Sequence, residues 1–143
     1  MRRKARETVV QIFYMFDYRG GFDKELLAFS LDNFSVAEDV RNFAEKLIFG
    51  VAEKLDEIDK RLTHASENWS LSRMSKVDRA ILRLAAYEIM FEKDIPTNVS
   101  INEAIEIAKS FGNEESRQFI NGVLDKVAEN FRKQSAVKEE AAA

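Results

Sequence analysis

The chain has 143 residues, of which 45% are hydrophobic and 33% charged, with a formal net charge of −3. This length suits one domain, and the apolar content is enough for a buried core, so a disordered chain is excluded. Five glycines and one proline are too few for the turns of an all-β fold. Because cysteine is absent and His64 is the single histidine, thiolate chemistry is excluded and His- or Cys-based metal sites are disfavoured. No run of about 18 apolar residues predicts a membrane span, and no apolar stretch follows the basic N-terminus as in a signal peptide, so we expect a cytoplasmic protein.

Charge is distributed unevenly along the chain. Residues 1–20 carry a net charge of +3, which leaves −6 for the remainder. A basic arm on an acidic body is typical of a local nucleic-acid site, and the alternative is a solubilising, disordered terminus. The candidate phosphate-binding residues of the arm are Arg2, Arg3, Lys4 and Arg6.

The first two predicted helical segments lie in residues 3–18 and 22–31. In the first, Val9, Phe13 and Phe16 recur at helical spacing and predict a core-facing stripe. The glycine pair at 20–21 ends this helix, because glycine adopts a left-handed turn at low cost. The second segment is short and amphipathic.

A long helix is predicted over residues 40–62. It follows Ser35 and Glu38, a capping-box pattern that satisfies unpaired N–H groups at a helix start. Gly50 lies inside it and indicates a bend or a close helix contact, since glycine costs about 1 kcal/mol relative to alanine there. Residues 64–74 are more polar and contain Trp69, which indicates a linker or a short helix.

The central helix is predicted over residues 77–90. It begins at a second capping-box pattern, Ser75 and Asp78, and it is apolar over most of its circumference. That distribution is typical of a helix in the middle of a bundle. Residues 94–98 break the helix, because Pro96 disfavours helical backbone just before itself.

Two more helices are predicted after the break. The first opens at a third capping-box pattern, Ser100 and Glu103, and ends at Gly112. The second runs from about residue 113 to residue 132. We therefore expect one all-α domain over residues 1–132, with six or seven helices in a bundle or in two small packed bundles. Residues 133–143 alternate charge and alanine and are predicted to be a flexible tail.

Several residues have both a binding and a packing interpretation. Tyr14, Tyr18 and Phe119 can stack on unpaired bases, but they also suit core packing, which periodicity favours for Phe119. The Asn121-Gly122 pair is a hairpin signal between strands, yet its flanks here have helical spacing. A glycine inside a helix then indicates close approach of another backbone or of a ligand.

Four carboxylates are candidates for a catalytic pair, and each has a simpler interpretation. Asp78 and Glu103 fit capping, and Glu106 lies one turn from Asn102. Glu88 on the central helix fits a pair with a basic residue. Because no nucleophile or metal motif accompanies them, we expect neither an enzyme nor a cofactor.

Four stretches in the same order resemble one known family, the NusB family of bacterial transcription antitermination factors. They are RKARE at 3–7 with QIFY at 11–14, VDRAILRLAAYE at 77–88, INEAIEIAK at 101–109 and FINGVLD at 119–125. Residues 22–74 match only in helical character and in Trp69. The resemblance implies an all-α fold of two three-helix sub-bundles without catalysis.

The resemblance also implies partners. The family binds boxA, a short single-stranded RNA element of ribosomal RNA leaders, together with NusE, which is also a protein of the small ribosomal subunit. The pair joins the elongating RNA polymerase with other Nus factors and promotes read-through of terminators. Some relatives also self-associate, so a homodimer is possible for this chain.

By resemblance, specific positions acquire roles. RNA-backbone contacts map to Arg2, Arg3, Lys4 and Arg6. The RNA-facing start of the last helix maps to Arg117, Gln118 and Phe119. Asp78 maps to the side that meets NusE, Tyr14 maps to the NusE or RNA edge, and Glu115 maps to an acidic position that restrains RNA binding. Many relatives have lysine where this chain has Gln118, so one ionic contact is missing unless Arg117 reaches the same side.

Two other functions are compatible with these sequence features. NusB-like domains also form the RNA-binding part of a ribosomal RNA cytosine methyltransferase, which needs a large α/β domain and a catalytic cysteine. Without any cysteine, this chain can only be a detached piece of such an enzyme. The other alternative is a helical dimerisation module that does not bind RNA.

Overall fold

The computed structural model describes residues 2–17, 23–34, 36–67, 71–111 and 113–142, and regular structure in these ranges is entirely helical. None of their helices combines the length and the apolarity that crossing a membrane requires. In chain order the α-helices are α1 (Arg2–Asp17), α2 (Lys24–Phe29), α3 (Glu38–Glu53), α4 (Leu55–Ala65), α5 (Lys76–Phe91), α6 (Thr97–Phe111) and α7 (Glu114–Ala142). Short 3-10 turns occupy Ser30–Asn33 and Leu71–Arg73. The all-α prediction is confirmed.

Helix α5 is the centre of the fold. It packs against α1, α3, α4, α6 and α7, and every residue from Ala80 to Met90 is buried. A helix that is apolar on all sides must be enclosed by others, so its composition accounts for its place. On one side α1 packs against α2 and α3, while on the other α6 and α7 pack against each other. This arrangement corresponds to the two predicted sub-bundles, with α5 common to their interface.

The long helix predicted over residues 40–62 is wrong, because the structure has two helices there. Helix α3 ends at Glu53, and α4 begins at Leu55 after Lys54 leaves helical conformation with φ −106° and ψ 14°. Near this break, a Cβ atom at Gly50 would lie 2.2 Å from the ring of Tyr87. That ring is held by a hydrogen bond to Glu92, so it cannot yield easily. The close helix contact predicted for Gly50 is confirmed.

The capping patterns had different outcomes. Ser75 Oγ accepts a hydrogen bond from the backbone N–H of Asp78 at 3.1 Å, so the second pattern caps α5. The third pattern is wrong, because α6 begins at Thr97 and Ser100 lies inside the helix. The backbone N–H of Ser100 donates to the Pro96 carbonyl, so the helical hydrogen bonds begin at the proline. Proline is tolerated there because the first N–H groups of a helix have no partner within the helix.

Some predictions fall outside the residues that the structure describes. They concern Tyr18, Arg19, Gly20, Gly21, Phe22, Ser35, Trp69 and Gly112. At the other end of the chain, α7 continues past Arg132 to Ala142, over residues with high helix propensity. Most of this extension is exposed. The flexible tail and the domain boundary at residue 132 stay predictions.

Candidate nucleic-acid and partner interface

The basic arm is the first turn of α1, and its members do not share one environment. Arg2, Arg3 and Lys4 are exposed, whereas the side chain of Arg6 is 3% exposed. Residue 6 lies on the inward side of α1, beside the core residue Ala5. Three of the four predicted phosphate contacts therefore lie at the surface.

Arg6 is part of a buried ion pair. Its Nε and Nη2 atoms donate to the two carboxylate oxygens of Glu88, each at 2.8 Å. Ser100 Oγ donates to the same carboxylate at 3.0 Å. Breaking a buried pair of this kind costs about 3–5 kcal/mol, because the remaining charge is uncompensated. The phosphate contact predicted for Arg6 is therefore corrected to a structural role, and the pairing predicted for Glu88 is confirmed.

Glu103 connects the arm to α6 rather than capping that helix. Arg3 Nε donates to Glu103 Oε2 at 2.8 Å, and the other oxygen of Glu103 lies 3.8 Å from Arg6 Nη1. The hydrogen bond to Glu103 raises the pKa of Arg3, so the guanidinium stays protonated. The carboxylate thus bridges an exposed arginine and a buried one.

An aromatic ring that sequence reasoning missed lies beside the arm. The half-buried ring of Phe43 on α3 has the guanidinium carbon of Arg2 4.7 Å from its centroid and that of Arg6 5.5 Å away. A cation over an aromatic face contributes about 0.5–1 kcal/mol at exposed sites. The helical spacing of Phe43 indicated only core packing, and no local pattern pairs residue 43 with residue 2.

A polar cleft lies where α5 and α7 begin. Its volume is about 260 Å³, and it is lined by Arg73, Met74, Ser75, Asp78, Asn113, Glu115, Ser116 and Phe119. Asn113 Oδ1 accepts from the backbone N–H of Ser116 at 2.9 Å and so caps α7, whose start was predicted at about residue 113. The cleft therefore combines two capped helix ends with one aromatic wall.

Asp78 is the buried acid of this cleft. It is 9% exposed and accepts a hydrogen bond from Ser116 Oγ at 3.4 Å. Burial raises the pKa of Asp78, while hydrogen bonds from Ser116 and Ser75 act in the opposite direction. Because the side chain of Asp78 is buried, little of its carboxylate is accessible for a charged contact with a partner.

Of the site residues predicted on α7, Glu115 and Phe119 line the polar cleft, whereas Arg117 and Gln118 do not. Phe119 is half-buried: its side chain packs on the core, as periodicity favours, and also lines the cleft, so its stacking on a base stays a prediction. Glu115 and Gln118 are exposed, and Arg117 is half-buried. Apart from the two neighbouring residues and the nearby backbone of α7 itself, no part of the described chain lies within 4 Å of a Cβ placed on Gly122. Close approach of another backbone of this chain is therefore wrong there, and the ligand interpretation stays a prediction.

An apolar cleft lies on the other side of the first turn of α5. Its volume is about 420 Å³, and it is lined by Val10, Gln11, Tyr14, Met15, Phe34, Val77 and Phe111. Met15 is 44% and Phe111 38% exposed, so apolar surface is open to water. Such surface is typical of a protein–protein contact. Val77 lines this cleft and Asp78 lines the polar one, so the two clefts share α5 as a wall.

Comparison with known proteins decides the family. A sequence model of the NusB family matches residues 3–129. The chain belongs to the NusB family. The transcription antitermination protein NusB of Geobacter sulfurreducens is 51% identical over 128 residues, which cover 89% of this chain and 93% of that protein. That of Desulfitobacterium hafniense is 50% identical over 134 residues, which cover 92% of this chain and 90% of the relative.

Solved NusB structures share the fold. The T. maritima NusB structure superposes with a TM-score of 0.81 at 42% identity, covering 90% of this chain and 91% of that one. A structure of the antitermination factors NusB and NusE in complex with double-stranded RNA superposes with a TM-score of 0.79 at 27% identity. It covers 90% of this chain and 96% of that one. The NusB-like arrangement of the helices is thereby confirmed.

Proposed function

We propose that this protein is a bacterial transcription antitermination factor that binds boxA RNA of ribosomal RNA leaders together with NusE. Its relatives carry the name transcription antitermination protein NusB, and a similar NusB was solved with NusE and RNA. The observation that carries the proposal is the pair of clefts on either side of the first turn of α5. One cleft offers stacking and polar groups, and the other offers apolar surface.

The RNA is bound by the exposed arm and by the start of α7. Arg2 and Lys4 are exposed and form no ion pair with any residue in the described ranges, so their charges are available to phosphates. Single-stranded RNA is read on unpaired bases by stacking and by hydrogen bonds to base edges. Phe119 offers its ring for stacking, and Gln118 and Arg117 offer hydrogen-bond donors beside it.

NusE binds the apolar cleft, with Tyr14 at its wall and Asp78 on the side that meets NusE, while Glu115 lies on the RNA side. The complex then joins the elongating RNA polymerase with other Nus factors. Because few cations face the RNA, binding by this chain alone is weak. A bound partner that also contacts the RNA raises the affinity through effective concentration.

The same proposal has consequences for class and location. The protein acts without catalysis and without a cofactor, in the cytoplasm, with residues 1–132 as its domain. The relatives are matched over 93% and 90% of their own length, so they have no room for a large methyltransferase domain. The detached-enzyme alternative is therefore not favoured.

Fluorescence anisotropy tests the proposal. A boxA RNA and a scrambled RNA of equal length are titrated at two salt concentrations, with and without NusE. We expect a preference for boxA that increases when NusE is present. Equal, strongly salt-dependent binding to both RNAs would contradict the boxA assignment. No binding, together with a dimer in size-exclusion chromatography, would favour the dimerisation module.

A further inference from the structure

The guanidinium of Arg3 is bound to Glu103 through its Nε atom alone, among the residues that the structure describes. Its Nε donates to Glu103 Oε2 at 2.8 Å, and neither Nη nitrogen donates a hydrogen bond to a residue in the described ranges. The side chain is 52% exposed even with this contact. The edge formed by the two Nη atoms is therefore open to solvent.

Glu103 is itself held in place from the interior. Its side chain is 21% exposed, and its Oε1 atom lies 3.8 Å from Arg6 Nη1. Arg6 is fixed by the bidentate pair with Glu88, in which the two side chains are 3% and 1% exposed. A continuous series of fixed side chains thus runs from Glu88, in the last turn of α5, to the exposed arm.

We infer that Glu103 is a positioning residue for RNA binding, which presents the Nη edge of Arg3 to a backbone phosphate. The inference rests on the proposed RNA-binding function. Arginine binds phosphate through two parallel N–H groups, and the two Nη atoms supply such a pair while Nε stays on Glu103. A long side chain that is ordered before binding loses less rotamer freedom when the phosphate arrives.

Glu103 also has an opposing effect, because its negative charge repels RNA. Because Glu103 is partly exposed, this repulsion is weakened by water and salt. The two effects respond differently to two substitutions. Glu103→Gln removes the charge but keeps an oxygen that can accept from Nε, whereas Glu103→Asp keeps the charge but withdraws the oxygen by one methylene.

Glu106 supplies the matched control. It lies one turn further along α6, its side chain is 41% exposed, and its carboxylate pairs with Lys109 at 2.8 Å. It forms no hydrogen bond with Arg3. Glu106→Gln therefore removes the same charge near the arm without changing the contact of Arg3.

The experiment measures boxA RNA affinity by anisotropy for the wild type, E103D, E103Q and E106Q, and for E103D in an Arg3→Ala background. We expect E103D to bind roughly three- to ten-fold more weakly, the range for ordering one long side chain. E103Q should bind as tightly as E106Q. With Arg3 already replaced, E103D should cause no further loss.

Two results would overturn the inference. E103D binding like the wild type would show that only the charge of Glu103 matters, and an E103D loss that persists without Arg3 would show a general structural effect. Thermal unfolding of each variant confirms that the helices remain assembled. Failure of the proposed function itself looks different, because the wild type would then not bind boxA RNA.

Discussion

Arg6 and Glu88 lie 82 residues apart and form a buried bidentate ion pair that joins α1 to α5. The pair changes the interpretation of the four basic residues at the N-terminus, because the charge of Arg6 is neutralised inside the protein. The arm has three exposed cations, and one of them is already engaged by Glu103.

Replacing Glu88 with alanine should destabilise the fold strongly. The change leaves Arg6 buried and uncompensated, so we expect the free energy of unfolding to fall by about 3–5 kcal/mol. Urea unfolding followed by circular dichroism measures it. The exposed pair of Glu106 and Lys109 is the control, where Glu106→Ala should cost far less stability, because water screens an exposed ion pair. Equal losses in the two variants would contradict the energetic distinction between the pairs.

Removing single exposed cations of the arm should reduce the salt dependence of RNA binding. For Arg2→Ala and for Lys4→Ala, we expect the slope of log affinity against log salt to fall by about 0.7 each. Lys60→Ala on α4 makes the same change of charge in a groove formed with the far half of α7 and should leave the slope unchanged. An unaltered slope in both arm variants would remove the arm from the RNA interface.

Phe119→Ala should separate stacking from packing. Loss of one base–aromatic stack costs about 1–3 kcal/mol of RNA binding. Because the ring is only half-buried, the loss of stability should be smaller than the about 3–5 kcal/mol of a core phenylalanine. Phe131→Ala, also half-buried on α7, is the control and should keep full RNA affinity. Parallel losses of RNA binding in the two variants would indicate that stability, not stacking, is being measured.

The titration of Asp78 should be visible in stability. Burial raises its pKa above the ordinary value of 3.8, so the folded state binds a proton more tightly than the unfolded state. The contribution is fully present below the ordinary pKa and is lost as the pH rises through the raised one. We therefore expect the free energy of unfolding of the wild type, relative to Asp78→Asn, to decrease as pH rises from about 3.8 towards neutrality. A flat or rising difference in urea unfolding would show that the hydrogen bonds from Ser75 and Ser116 outweigh burial.

Met15→Glu should weaken binding of NusE while RNA binding by the chain alone persists. The substitution places a charge in the apolar cleft, where it loses hydration on contact with the partner. Phe49 on α3 is similarly exposed, at 37% against 44% for Met15, and lies outside that cleft. Calorimetry should therefore find a large loss for Met15→Glu and little change for Phe49→Glu. The reverse order would place the partner on another face.

Local patterns predicted the features that depend on local causes. The apolar circumference of α5 and the cap at Ser75 follow from residues close in sequence. Gly50 indicated a bend or a close contact, but the ring that it contacts belongs to Tyr87, which is distant in sequence. The break at Lys54 was missed because neither glycine nor proline marks it. Ser100 matched a capping box, but its hydroxyl is used by Glu88.

The assignments that failed at the site depend on partners distant in sequence. A run of basic residues does not show which member faces inward, and Arg6 is distinguished only by Glu88 across the core. The sequence placed Phe43 and Tyr14 on helices, but it could not predict the residues of other helices that lie beside their rings. The apolar cleft was not predicted for the same reason, since Met15, Phe34 and Phe111 meet only in the folded chain.

The shared wall between the two clefts has a thermodynamic consequence. Val77 and Asp78 are consecutive residues, so a ligand that moved the first turn of α5 in one cleft would also move a residue that lines the other. Any factor by which NusE changes the equilibrium affinity for RNA must equal the factor by which RNA changes the affinity for NusE. The ternary complex therefore has the same final stability whichever ligand arrives first, and the order of arrival is set by concentrations and rates.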